Sequence, residues 1–112
     1  MKTHQIGELE ELVLLSVGSL YDKAYAVNIL EVIKENTQRM LDVTAVHSVL
    51  RRLEKKGYVI SSMGGATAER GGRRKRFFTL SQAGRHILDE VMDVRSNLYS
   101  KLPKLAYAGL SI

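Results

Sequence analysis

"VTAVHSVLRRLEKKGYVISSMGGATAERGGRRKRFFTL", Val43 to Leu80, runs from a basic amphipathic segment into two short apolar stretches separated by glycines. Val46, Val49, Leu50 and Leu53 recur at i, i+3, i+4 and i+7, which is the spacing of one helical face. Lys55 and Lys56 suit the negative end of a helix dipole, and Gly57 is a good C′ residue to close it. "YVISSM" then reads as a strand, "GGATAERGG" as a connection and "RRKRFFTL" as the returning strand of a hairpin. Period two sets Phe78 and Leu80 on one face, expected in the core, with Phe77 and Thr79 on the other.

Upstream, "IGELEELVLLSVGSLY" places Ile6, Leu9, Leu12, Val13, Val17 and Leu20 at helical spacing, with Glu8, Glu10 and Glu11 near the favourable end of the dipole. After the polar "DK", Ala26, Ile29, Leu30 and Ile33 share a face, so a second helix is expected from about Tyr25 to Asn36. Downstream, Ser81 is expected to cap a long last helix that Pro103 terminates. Ile87, Val91, Val94, Leu98 and Leu102 form its apolar stripe, widened by Leu88 and Tyr99, and have no obvious partner in so small a domain. Gly84 departs from the usual capping box and reads as a point of close packing. The expected fold class is mainly α with a small β-hairpin (α+β). A winged helix-turn-helix over residues 1–80 is followed by a C-terminal dimerisation helix and tail over 81–112, in one compact unit.

Charge placement narrows the function. The chain has 112 residues and a net charge of +5, and residues 44–80 hold nine Lys/Arg against two Asp/Glu. Residues 1–43 hold four against seven, so the middle third carries the whole excess. Concentrated positive charge attracts a polyanion, whereas a dispersed excess implies only solubility. The start "MKTHQIGELEEL" has no apolar core of a signal peptide, and no stretch approaches a membrane span, so a cytoplasmic protein without membrane partners is expected. Zero cysteines exclude disulfides and thiolate chemistry. No activated nucleophile, carboxylate pair or phosphate-cradling Gly-Lys motif is present, so neither an enzyme nor a cofactor is expected. The three histidines, His4, His47 and His86, have no second ligand at metal-binding spacing.

If Val46, Val49, Leu50 and Leu53 face the core, then Thr44, His47, Ser48, Arg51, Arg52 and Lys55 face outward. Small hydroxyls and an imidazole can approach base edges in a major groove, and arginine can read guanine or hold phosphate by its bidentate fork. Arg51 can serve either purpose, and a histidine such as His47, taken alone, is more often an ordinary surface residue than a base reader. Arg70, Arg73, Arg74 and Lys75 stand where the neck of a wing would neutralise phosphates, beside glycines that let its tip approach the duplex. A basic hairpin alone can be a solvated edge that discourages sheet association. Beside the cationic face of helix three, it points to double-stranded DNA.

"GELEELVLLSV", "AYAVNILEVI", "VHSVLRRLEKKGYV" and "ERGGRRKRFFTLSQAGR" together resemble the PadR family of bacterial transcriptional regulators over about residues 5–100. The most specific piece is "GGRRKRFFTLSQAG": two glycines, two arginines, a base, two aromatics, then Leu-Ser before a helix. The resemblance implies a winged-helix homodimer, joined through its last helices, that represses neighbouring genes from an inverted-repeat operator. It also implies a phosphate-side role for the Tyr25 hydroxyl, although a core-boundary tyrosine fits the residue equally well. Departures fall at Val46 and His47, where the family has Leu-Tyr, and at Phe77 and Phe78, where tyrosines are common. The last helix is of the short type. Some relatives take aromatic small-molecule effectors between subunits, but the chain has no Trp, and its late aromatics are Tyr99 and Tyr107. An effector-responsive sensor and a winged-helix protein-interaction module without DNA binding are the alternative functions.

Overall fold

The computed structural model describes residues 6–64 and 74–104. Helices α1 (Glu8–Leu20), α2 (Ala26–Thr37) and α3 (Val43–Lys55) precede a two-stranded antiparallel hairpin, β1 (Val59–Gly64) and β2 (Lys75–Leu80), and α4 (Gln82–Ser100) follows. A single 3-10 turn, Tyr21–Lys23, links α1 to α2. The register pairs Val59 with Leu80, Ser61 with Phe78 and Met63 with Arg76. This is the expected α+β winged-helix order.

The core is a single cluster. Val13, Leu14 and Val17 of α1 meet Ala26, Ile29 and Ile33 of α2 and the Val46, Val49, Leu50, Leu53 stripe of α3. Val59 and Phe78 close it from the hairpin, and Ile87 and Leu88 from the start of α4. Phe78 is buried as expected, whereas Leu80 is half-buried and presses on α1, so that a Cβ at Gly18 would lie 3.1 Å from its Cδ1. The α1 stripe also differs from expectation, since Leu14 is fully buried while Leu9, Leu12 and Leu20 pack only at the margin.

Local chemistry sets the boundaries. The Asp42 side chain accepts from the Ala45 amide at 3.1 Å and caps α3. At the other end Tyr58 N–H donates to Leu53 O and Gly57 N–H to Glu54 O, the paired bonds of a Schellman closure, with Gly57 at φ +84° where L side chains are strained. Ser81 caps α4 by accepting from Gly84 N–H at 2.9 Å, and its hydroxyl also donates to Gly57 O at 2.6 Å. Gly84 approaches Tyr58 so closely that a Cβ there would lie 2.1 Å from the Tyr58 carbonyl oxygen. The end of α3, the start of β1 and the start of α4 therefore share one joint. α4 ends three residues before Pro103, consistent with a proline that cannot continue a helix.

Candidate nucleic-acid interface

Along α3, Thr44, His47, Arg51, Arg52 and Lys55 are exposed and Ser48 is half-buried, on the side away from the core stripe. Ser48, Arg51, Arg52, Glu54 and Lys55 line a shallow depression in that surface. The residues expected to meet DNA on this helix are therefore brought together. Arg52 has a second attachment, because its Nε lies 3.4 Å from Glu10 Oε2 while its side chain remains more than half exposed.

Glu10 anchors that attachment. Its carboxylate is buried between α1 and α3 and accepts from Gly7 N–H at 2.8 Å and from Lys56 Nζ at 3.0 and 3.1 Å. Burial alone would raise its pKa; the Gly7 amide, Lys56 and Arg52 outweigh that and hold it below the ordinary carboxylate value. Sequence reasoning assigned Glu10 only to the helix dipole. What would have identified the pair is a buried acid one turn from the core stripe, which demands a base that only the tertiary fold supplies.

At the hairpin, Phe78 N–H donates to Ala24 O at 2.9 Å, which ties β2 to the extended residues preceding α2. Tyr25 sits at the N-cap position of α2, half-buried. Its ring meets Phe77 edge to face at 5.4 Å, and Lys75 Nζ stands 4.4 Å from the ring centroid in a cation–π contact. Two residues predicted separately, Tyr25 and Lys75, thus occupy one cluster. Arg74 is exposed just before β2, while Arg70 and Arg73 lie outside the described residues. Arg76 turns to the other side of the strand: its Nη1 donates to Ser61 Oγ at 2.9 Å, and Ser61 Oγ donates to Glu54 Oε2 at 2.7 Å.

The stripe of α4 divides. Ile87 is buried and belongs to the chain's own core cluster. Val91 is half-buried, and Val94, Leu98 and Leu102 are 58%, 63% and 47% exposed. Ile6, Ile87, Glu90, Val91, Val94, Arg95 and Leu98 line a groove there. Arg95 crosses to Glu11 of α1 by two hydrogen bonds of 2.8 and 3.1 Å, and that carboxylate raises the guanidinium pKa further. Among the described residues no group of acidic or histidine side chains could hold a metal ion, and no helix is long and apolar enough to cross a membrane.

No family model and no curated protein matches the chain. Solved structures do. A PadR-like transcription factor from Bacteroides fragilis superposes with a TM-score of 0.69 at 21% identity, covering 82% of this chain and 84% of that one. A Streptococcus transcriptional regulator gives 0.67 at 18%, covering 93% and 92%. Bacillus subtilis PadR, solved in complex with operator DNA, gives 0.62 at 16%, covering 79% of this chain and 48% of that one. With four helices, an antiparallel hairpin and these likenesses, the chain has the fold of the PadR-like winged-helix transcriptional regulators.

Proposed function

We propose that the protein is a PadR-family DNA-binding transcriptional regulator of the bacterial cytoplasm, a repressor that binds an inverted-repeat operator as a homodimer. The observation that carries this reading is the exposed polar and cationic face of α3, followed in the chain by a hairpin with Arg74 exposed at its stem and Lys75 held over Tyr25. In this reading α3 enters the major groove, with His47 and Ser48 near base edges and Arg51 on either a guanine or a phosphate. Thr44 accompanies them at the start of the helix. Arg70, Arg73, Arg74 and Lys75 follow the backbone, with the Tyr25 hydroxyl beside a phosphate. Arg52 contributes only the part of its charge that Glu10 leaves uncompensated.

The homodimer is supported by the apolar row of α4, which is exposed among the described residues. Val94, Leu98 and Leu102, continued by Val91, would pack against their copies across a two-fold axis, with Ile87 beneath them. Selection of duplexes from a random pool, followed by footprinting and sedimentation, tests both parts. An enriched inverted repeat protected by a dimer is expected. Recovery of unenriched DNA, together with a monomer at micromolar concentration, would refute the proposal.

A further inference from the structure

Lys75 and Arg76 are adjacent cations in β2, and strand geometry sends them to opposite faces. Successive side chains of a strand point to opposite faces. Lys75 and Phe77 turn toward Tyr25. Arg76 shares its face with the buried Phe78, and in the ladder Ser61 stands opposite Phe78 and Met63 opposite Arg76. The Arg76–Ser61 bond is therefore a diagonal cross-strand pair, within reach of a long side chain. Ser61 passes the interaction on to Glu54 in the last turn of α3, and Glu54 is the only carboxylate of that helix.

We propose that Glu54, Ser61 and Arg76 form a latch fixing the wing stem against the recognition helix, and that Arg76 is a positioning residue rather than a phosphate ligand. The proposal rests on the DNA-binding reading for its second half only. Glu54 lines the same depression as Ser48, Arg51 and Lys55, so its charge would oppose phosphates approaching that surface. The Arg76 guanidinium, held through Ser61, offsets that charge where it stands. Moving Arg76 to a phosphate would strip Glu54 of this partner and free the stem at the moment the wing must hold its angle. Of the two adjacent cations, Arg76 thus orients the hairpin while its neighbour Lys75 remains on the opposite face.

The test uses the full chain with Glu54→Gln, Ser61→Ala, Arg76→Gln and Arg76→Lys, and Arg74→Gln as reference. In the free protein, Ser61→Ala and Arg76→Gln are expected to speed amide hydrogen exchange across Val59–Gly64 and Lys75–Leu80 by about threefold to tenfold, the range of one side-chain hydrogen bond. Amides of α1 and α2 should be unchanged, which also certifies the fold. Arg76→Lys, still able to donate to Ser61, should recover most of the protection. Strand exchange unaltered by either substitution overturns the latch with no DNA in the tube.

Affinity is then measured against salt on the duplex most enriched by the unmodified protein, or on an unselected duplex where none is enriched. Arg74→Gln is expected to flatten the slope by about 0.9, whereas Arg76→Gln should lower affinity and leave the slope nearly unchanged. The Ser61→Ala/Arg76→Gln double variant should lose no more than the worse single one, because both cut the same link. A slope flattened equally by Arg76→Gln overturns the positioning role. An absence of any enriched duplex counts against the proposed function, while the exchange result still decides the latch.

Discussion

Gly84→Ala should destabilise the protein even though it places a better helix former inside a helix. Intrinsic propensity alone would favour alanine by about 1 kcal/mol. Against this, the new Cβ would stand 2.1 Å from Tyr58 O and 3.0 Å from Tyr58 C, both backbone atoms that cannot rotate aside. To clear it, the start of α4 must withdraw from the end of α3 by more than an ångström. The first casualty is the Ser81 N–H to Tyr58 O bond at 3.0 Å, worth about 1 kcal/mol, and the Ser81 hydroxyl bond to Gly57 O is strained with it. Overpacking adds about 1–3 kcal/mol. Setting the propensity gain against these leaves a net loss of about 1–3 kcal/mol, or roughly 5–15 °C in Tm for a domain near 100 residues. Thermal melts followed by far-UV circular dichroism measure it. Ala83→Gly, one residue earlier at an exposed site, serves as the control and should lose only about 1 kcal/mol by propensity. A Gly84→Ala protein that melted a few degrees above the parent would show that α4 does not seat on Tyr58 as described.

Three further outcomes are expected. Glu10 titrates below its ordinary value in the folded chain, so the stability it provides is present above the unfolded-state pKa of about 4.3 and is lost as pH falls through the folded value; melts from pH 7 to pH 3 should show a shallower acid decline for Glu10→Gln than for the parent. Val94→Lys and Leu98→Lys each place a charge in the exposed row of α4, and sedimentation equilibrium should show weakened self-association with an unchanged circular dichroism spectrum; a dimer of undiminished affinity would put the seam elsewhere. Arg74→Ala should weaken selected and scrambled duplexes alike, whereas Ser48→Ala should cost about 1–3 kcal/mol on the selected duplex alone if it makes a base contact; fluorescence titrations on the two duplexes separate these, and an Arg74 effect confined to the selected duplex would give the wing a sequence-reading role.

The parts of the fold that are legible in the sequence are those fixed by local chemistry. The α3 stripe, the Gly57 closure, the Ser81 cap and the close packing at Gly84 each depend on residues within a few positions of one another or on the absence of a side chain. The α2 boundary fell one residue from its observed place because Tyr25 occupies the N-cap rather than the first turn. What the sequence could not disclose depends on partners distant in the chain. Leu14 is buried because α1 is covered on several sides at once, and a single stripe underestimates such a helix. Glu10 and Glu11 look alike in "ELEEL", yet one is tied to α3 and the other to α4. At the candidate site, the outward face of α3 followed from periodicity, while the meeting of Tyr25 with Lys75 joins residues fifty positions apart. Helical spacing groups Ile87 with Val94 and Leu98 on one apolar face, and only the fold distinguishes its buried end from its exposed one.

The hydrogen bond from Phe78 N–H to Ala24 O means that β2 is bonded along both edges, by β1 on one side and by the approach to α2 on the other. A strand so fastened stays attached to the helical core even where its pairing with β1 is loosened. The hairpin and the approach to the second helix should therefore open together rather than one at a time, and hydrogen exchange at the Phe78 amide reports that joint opening.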